Sequence, residues 1–241
     1  CETQLLQLVQ DLGSGIKGKH QTDMAIMDFS KAFDTVPHKR LIHKLDYYGI
    51  RGKTQNWIKN FLQNRTQKVV VDGESSNEAP VISGVPQGTV LGPVLFLVYI
   101  NDLPDYIKHS KVRLFADDCI LYRVIESTED CQLLQADLKH LELWESHWLM
   151  SFNVSKCAVM SVTLKRKITQ FDYTLHGDPL DRVSDTKYLG VTIDSKLCWN
   201  KHISAVCSKA NRTLGMVKRN LKHAPQDFKE RAYQTLVRPL L

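Results

Sequence analysis

Three acidic features sit in apolar surroundings. Asp28 follows Ala-Ile-Met, Asp34 follows Lys-Ala-Phe, and the doublet Asp117-Asp118 stands between Leu-Phe-Ala and Cys-Ile-Leu-Tyr. A carboxylate among strand-forming residues is costly unless something offsets its charge. A divalent cation is one such partner, and magnesium is commonly held by one or two carboxylates completed by substrate phosphates. Two ions about 3.5–4 Å apart can clamp an in-line displacement at phosphorus. Each acid alone has a plainer reading, since aspartate at a strand end is often a turn former or helix cap. Asp34 fits that reading, because the chain has by then turned into helix.

Other residues could serve the same chemistry. Gly84 and Gly88 remove side chains where backbone could approach a ligand closely, the plainer reading being a Gly/Pro turn that leads into a core helix. Pro86 stiffens the turn between them. Gln87 offers an amide donor and acceptor. Lys156 could donate a proton to a departing anion, or merely stabilise its charge. Lys31 is either a phosphate contact or part of a solvated face, and the second reading is preferred.

The elements that must position these groups follow from periodicity. Leu5, Leu6, Val9 and Leu12 predict a helix over Thr3–Lys17, and Met24 to Phe29 predicts a buried strand. Pro37 opens a helix that Gly49 ends. A second helix runs from Lys53 to about Gln63, with Trp57, Ile58, Phe61 and Leu62 facing inward. Gln67 to Val71 and Ala79 to Ile82 predict two strands joined by a polar turn. An apolar helix spans Pro93 to Leu103. Val112 to Val124 predicts a hairpin with the doublet at its tip. Cys131 to Leu149 predicts an amphipathic helix through Leu134, Leu138, Leu141, Trp144 and Trp148. Short strands are expected around Val159, Tyr173 and Tyr188 to Ile193. Beyond a boundary near Asp194, Ile203, Val206, Ala210, Leu214, Val217 and Leu221 mark a helix decorated by lysine and arginine.

A chain of 241 residues with a formal charge of +6 can bury a real core and favours a polyanionic partner. Its six cysteines form no C-x-x-C pair, which argues against a zinc site and fits a reducing compartment. No apolar run approaches the roughly 20 residues needed to span a bilayer. Cys1 at the start and the apolar Leu236 to Leu241 at the end suggest a fragment of a longer polypeptide.

Five ordered motifs carry a resemblance. DFSKAFDTVPH (Asp28 to His38), SGVPQGTVLGPVLF (Ser83 to Phe96), FADD (Phe115 to Asp118), FNVSKC (Phe152 to Cys157) and KYLGVTID (Lys187 to Asp194) resemble the reverse transcriptases of non-LTR, LINE-type retrotransposons. The likeness has the flavour of the jockey-like elements of animals. It implies an α+β fold, a polymerase palm of antiparallel sheet backed by helices. Partial fingers and palm would occupy 1–194, and a truncated helical thumb 195–241.

The resemblance also implies roles. Asp28 and Asp117 would ligate two magnesium ions (manganese being a possible substitute), helped by the backbone carbonyl of Phe29. Asp118 would shape the field and touch metal. Phe33 would be the steric gate favouring dNTPs over ribonucleotides. Gly84, Pro86, Gln87 and Gly88 would position nucleotide and template, and Lys156 would be the general acid. Leu189 and Gly190 would belong to a primer grip. The partners would be an RNA template, a DNA primer and dNTPs, and the location intracellular, in the nucleus. If the mechanism holds, Asp28 and Asp117 should stand on adjacent strands within about 6 Å.

The resemblance is incomplete, since most of the basic fingers segment, part of the thumb and the endonuclease domain of many relatives are missing. Two further enzyme readings stay open, an intron-type reverse transcriptase and maturase, and an RNA-templated RNA polymerase, against which Phe33 argues. The non-enzyme reading is an inactive retroelement relic that binds nucleic acid without polymerising.

Overall fold

A computed structural model describes residues 1–241. In chain order its elements are α1 (Glu2–Lys17), β1 (Gln21–Asp28), α2 (Ala32–Thr35), α3 (His38–Tyr47), α4 (Gly52–Leu62), the two-residue strands β2 (Thr66–Gln67), β3 (Val70–Val71), β4 (Glu74–Ser75) and β5 (Ala79–Pro80), α5 (Leu91–Ile100) and α6 (Leu103–Tyr106). There follow β6 (Lys111–Phe115), β7 (Asp118–Ile125), α7 (Thr128–Trp148), β8 (Ala158–Val162), β9 (Thr174–Leu175), β10 (Asp178–Pro179), β11 (Asp181–Arg182), β12 (Asp185–Tyr188), β13 (Val191–Asp194), α8 (Asn200–Asn220) and α9 (Gln226–Ala232). No helix is long and apolar enough to cross a membrane.

The chain divides into two units, Cys1–Val183 and Ser184–Leu241. The sequence placed a boundary near Asp194. The division lies earlier because the β12–β13 hairpin pairs only with itself, while β11 pairs with β8.

The first unit is built on a five-stranded sheet of order β11-β8-β1-β7-β6. All pairs are antiparallel except β11 with β8. β1 is central, and side chains alternate across it. On one face Ala25, Met27 and the following Phe29 join Cys119, Leu121 and Val159 in the main core, with Leu41 and Leu45 of α3, Leu95 and Phe96 of α5 and Leu134, Leu138, Leu141 and Trp144 of α7. Each such buried leucine contributes roughly 1.5–3 kcal/mol. The capping box of Ser127 and Asp130 starts α7, satisfying backbone donors that would otherwise be orphaned.

The opposite face carries Thr22, Met24, Ile26 and Asp28, and α1 covers only part of it. Leu8, Leu12 and Gly15 are its buried positions, and a Cβ on Gly15 would stand 2.7 Å from Thr22 Oγ1. Asp11 of α1 accepts from Tyr122 at 2.5 Å, Arg113 at 2.9 Å and Lys111 at 3.0 Å. Burial lifts its carboxyl, but those bonds more than offset the effect and leave the pKa at about 2. Helix α1 is thereby tied to the sheet away from Asp28, whose side chain stays 40% exposed.

Two sequence expectations are corrected. Trp57 does not face inward. It is 56% exposed and stacks on Phe61 at 5.7 Å, while Ile58 and Leu62 take the buried stripe of α4. The two strands expected over 67–82 are short exposed pairs, β2 with β5 and β3 with β4. Their valines have no layer to pack against, and an isolated hairpin gains little from local pairing alone.

In the second unit, Ala210 and Val217 of α8 pack with Ala232 and Val237. Lys201, Lys209, Lys218 and Arg219 of α8 are exposed.

Candidate active site

Register brings the remote acids together. β1 pairs with β7 so that Asp28 lies directly opposite Asp118, with Met27 opposite Cys119 one step behind. Asp28 and Asp118 therefore share the face that α1 leaves open. β6 and β7 close through Ala116 and Asp117, with Phe115 paired to Asp118. Ala116 adopts φ 51, a left-handed conformation at the first central position of a two-residue turn. This turn sets Asp117 at the hairpin tip, one residue from the Asp28–Asp118 pair.

Partial burial, then the negative charges of Asp117 and Asp28, hold the Asp118 carboxyl above its ordinary range. No three His, Cys, Asp or Glu side chains converge as a self-sufficient metal cage. The donor set nonetheless suits a hard divalent cation, because all three groups are carboxylates, mutually repulsive and partly open to solvent. Magnesium needs few protein ligands when phosphates complete its shell.

The raised Asp118 value has a measurable consequence. The folded chain binds this proton more readily than the unfolded chain, so stability falls as pH rises from about 4 through the folded value. Asp118→Asn should raise Tm slightly at pH 7, because it removes the carboxylate that burial and its acidic neighbours disfavour. The difference should vanish near pH 4. A scan showing an unchanged or lower Tm at pH 7 would contradict the strained doublet.

Asp28 is also held from behind. The Phe29–Phe152 bridge is closed by Ser30 N donating to Ser151 O at 2.8 Å and Asn153 N donating to Asp28 O at 2.7 Å. In that arrangement Phe29's own carbonyl points away from the Phe152 strand, toward the β7 side where the doublet lies. The Phe29 ring is buried, stacked on Phe152 at 4.3 Å. Phe152 N in turn donates to buried Glu145 at 2.5 Å. Asp28 N donates to Cys157 Sγ at 3.4 Å, so a side chain replaces a ladder carbonyl. Burial pushes this thiol up to about 11, so it adds no negative charge beside the acids. Lys156, reached through a short turn at Val154–Lys156, places Nζ 3.4 Å from Asp28 Oδ2.

The Gly/Pro loop docks on the segment after Asp28. Val85 N donates to Phe33 O at 2.7 Å, Gly84 N to Val36 O at 2.8 Å and Ser83 Oγ to Asp34 O at 2.9 Å. Gly84, at φ +88, passes so close that a Cβ there would meet Asp34 O at 2.8 Å. Gln87 Nε2 donates to Asp34 Oδ1 at 3.0 Å. The Phe33 ring stacks on Phe96 at 4.5 Å, which fixes it against α5. Loop and segment border a cleft of about 530 Å³ whose lining includes Lys31, Asp34, Arg65, Pro86 and Gln87. Gly88 follows at φ +77.

The structure thus brings Asp28, Phe29, Asp117, Asp118 and Lys156 into one cluster, and Asp34, Gly84, Pro86 and Gln87 into a neighbouring cleft. Leu189 and Gly190 form the turn of the β12–β13 hairpin in the second unit, at φ 47 and φ 87. Sequence reasoning gave no role to Cys157, Asn153, Glu145 or Arg65. The first two lie inside FNVSKC, but nothing in that string says that a thiol would meet the backbone of Asp28.

Residues 5–193 match the family model for reverse transcriptase (RNA-dependent DNA polymerase). The chain is 31% identical over 212 residues to the RNA-directed DNA polymerase from mobile element jockey of Drosophila melanogaster, covering 84% of this chain and 23% of that protein. It is 30% identical over 214 residues to the probable RNA-directed DNA polymerase from transposon X-element of the same species, with the same coverage of 84% and 23%. A retrovirus-related Pol polyprotein from the type-1 retrotransposable element R2 of Popillia japonica is 25% identical over 232 residues, 90% of this chain and 37% of that protein. The chain spans under a quarter of the length of the jockey and X-element relatives.

Proposed function

Because this chain belongs to the reverse transcriptase (RNA-dependent DNA polymerase) family, we propose that it is the catalytic core of an RNA-directed DNA polymerase of a non-LTR retrotransposon. The 3′-hydroxyl oxygen of a DNA primer attacks the α-phosphorus of a dNTP. A new phosphodiester bond forms, the bond to the bridging oxygen breaks, and pyrophosphate leaves. The primer hydroxyl's proton passes to water, and Lys156, which pairs with Asp28 at 3.4 Å, would supply a proton to the departing pyrophosphate.

The observation that carries this reading is the pairing of Asp28 with Asp118, one residue from Asp117, on the part of the sheet face that α1 leaves open. Asp28, Asp117 and the Phe29 carbonyl would hold two magnesium ions, with Asp118 adjusting the field. Bound magnesium would supply Lewis-acid stabilisation of the attacking and leaving oxygens. The chain's own contribution is positioning and charge. Phe33, backed by Phe96, would exclude a 2′-hydroxyl. The five-stranded sheet and its helices would be the palm, the 66–82 hairpins part of the fingers, and α8 with α9 the start of a thumb. The α8 cations would meet a template–primer backbone without sequence preference, and Leu189 and Gly190 would support the primer end.

Primer extension on an RNA template with dNTPs and magnesium tests the reading. The chain should extend, and Asp117→Ala should not. Template–primer binding that survives in both, with extension in neither, would favour a non-polymerising relic.

A further inference from the structure

Trp57 carries an inference that rests on the nucleic-acid-binding part of that reading and goes beyond it. More than half of the residue is in solvent, although its spacing predicts an inward position. The indole is nonetheless held in place. It lies within 10° of parallel to the ring of Phe61, one turn later, and Phe61 is itself packed against the main core. Trp57 is therefore a flat apolar surface that is fixed from below and left uncovered.

Its surroundings select what could cover it. Lys53, Trp57 and Phe61 recur every four residues and share one face of α4, a span of about 12 Å. No acid occurs between Asp46 and Asp72, whereas Arg51, Lys53, Lys59, Arg65 and Lys68 all fall in that interval. Arg51 pairs with Asp46 at 3.0 Å, and the other four make no ion pair. Just past the C-terminal end of α4, Arg65 enters the wall of the cleft of about 530 Å³, beside Lys31, Asp34 and Gln87. The aromatic stripe thus leads from open surface to the cleft. Cations without acids select an anionic partner, and an uncovered ring selects one with flat faces. An unpaired nucleic-acid strand offers both, whereas a duplex keeps its bases in the stack.

We infer that Trp57 is a stacking platform for a base of an unpaired RNA strand leading to the cleft, with Lys53 and Arg65 meeting the phosphates on either side of that base.

The test measures binding of the 241-residue chain to a fluorescein-labelled primer–template whose RNA strand carries an unpaired 5′ adenylate extension. Wild type should bind it more tightly than the blunt duplex. Trp57→Ala should weaken the extended complex about tenfold, the usual worth of one stacked base, and leave the blunt complex unchanged. Trp57→Phe should keep most of the affinity. An extension of abasic sugar-phosphates should bind wild type and Trp57→Ala equally, which a merely structural role would not produce. Lys53→Ala should weaken both extensions and reduce the salt dependence by about 0.7 in log–log slope. Melting should stay within about 2 °C of wild type, both sites being on the surface.

Equal affinity of wild type and Trp57→Ala for the adenylate extension, or an equal loss on the abasic one, overturns the inference while leaving the polymerase reading intact. A glutamate-rich peptide that displaces the extension from wild type, and binds Trp57→Ala more weakly, would assign the platform to an acidic protein segment and overturn it too. Absence of primer extension with the Trp57 effect present overturns the polymerase reading and leaves the platform standing.

Discussion

Asp28→Ala should reduce primer extension by at least about 10³-fold while leaving the chain folded. Only interactions that strengthen toward the transition state accelerate the chemistry, and charge neutralisation at the reacting phosphate is worth several kcal/mol, each 1.36 kcal/mol being tenfold in rate. Asp28 is the β1 member of the acid cluster, so no neighbour on its own strand can replace it. Its carboxylate makes one ion pair, to an exposed lysine 3.4 Å away, and such pairs contribute little to stability. Its backbone bonds to Asn153 and Cys157 survive the substitution. Circular dichroism and melting should therefore resemble wild type, and release of the repulsion on Asp118 should raise Tm slightly. Single-turnover extension with saturating template–primer separates the outcomes. A loss below tenfold would mean that Asp28 is not a ligand of the reacting centre.

Lys44→Met should instead cost about 3 kcal/mol of stability, or roughly 6–12 °C in Tm. Lys44 of α3 is 2% exposed, donating to Asp102 at 2.5 Å and to the Tyr99 carbonyl. Its ammonium lies 3.6 Å from the centre of the Trp148 ring, 4.6 Å from Tyr99 and 5.3 Å from Trp144, where cation–π attraction operates. Trp144 Nε1 also donates to Asp102, at 3.0 Å. One cation thus ties α3, α5 and α7 behind the sheet.

Removing it alone leaves Asp102 without a counter-charge, the costly case for a buried pair. Lys44→Met combined with Asp102→Asn should regain more than half of the loss, because the amide oxygen still accepts from Trp144. Burial lowers the Lys44 pKa to about 8, with the Asp102 contact pulling the other way. Between about 8 and its ordinary value the unfolded chain holds more protons. The contribution of this group to stability therefore rises with pH across that window. Denaturant unfolding at pH 7 and pH 9.5 checks both statements, and a single variant as stable as wild type would remove the argument.

Nothing in the sequence announces that network. Lys44 falls in an ordinary amphipathic segment, where a lone lysine reads as solvated, and its partners come 55 to 104 residues later. Asp23 is similar. It lies in the middle of β1, fully buried, and accepts from Gln21, Ser161 and Tyr173. A polar residue inside an apolar strand signals that partners exist without saying which. Helix periodicity was readable because it is local. The ends of α1, α3, α4 and α7 fall within three residues of the positions expected from capping, glycine and apolar spacing. Trp57 misled, because which stripe of a short helix is buried depends on what packs beside it.

The sequence by itself determined the chemistry available, through carboxylates in apolar strands, a glycine-flanked amide and a basic tail, all in one family's order. Those are properties of residue type and spacing, which survive without a fold. Tertiary structure decided which acids become neighbours, which sheet face stays open, and which side chain the Gln87 amide meets. Each of these depends on strand register and on loops that meet across 50 or more residues. A shift of one residue in the β1–β7 ladder would turn Asp28 into the core and leave the same motifs inert.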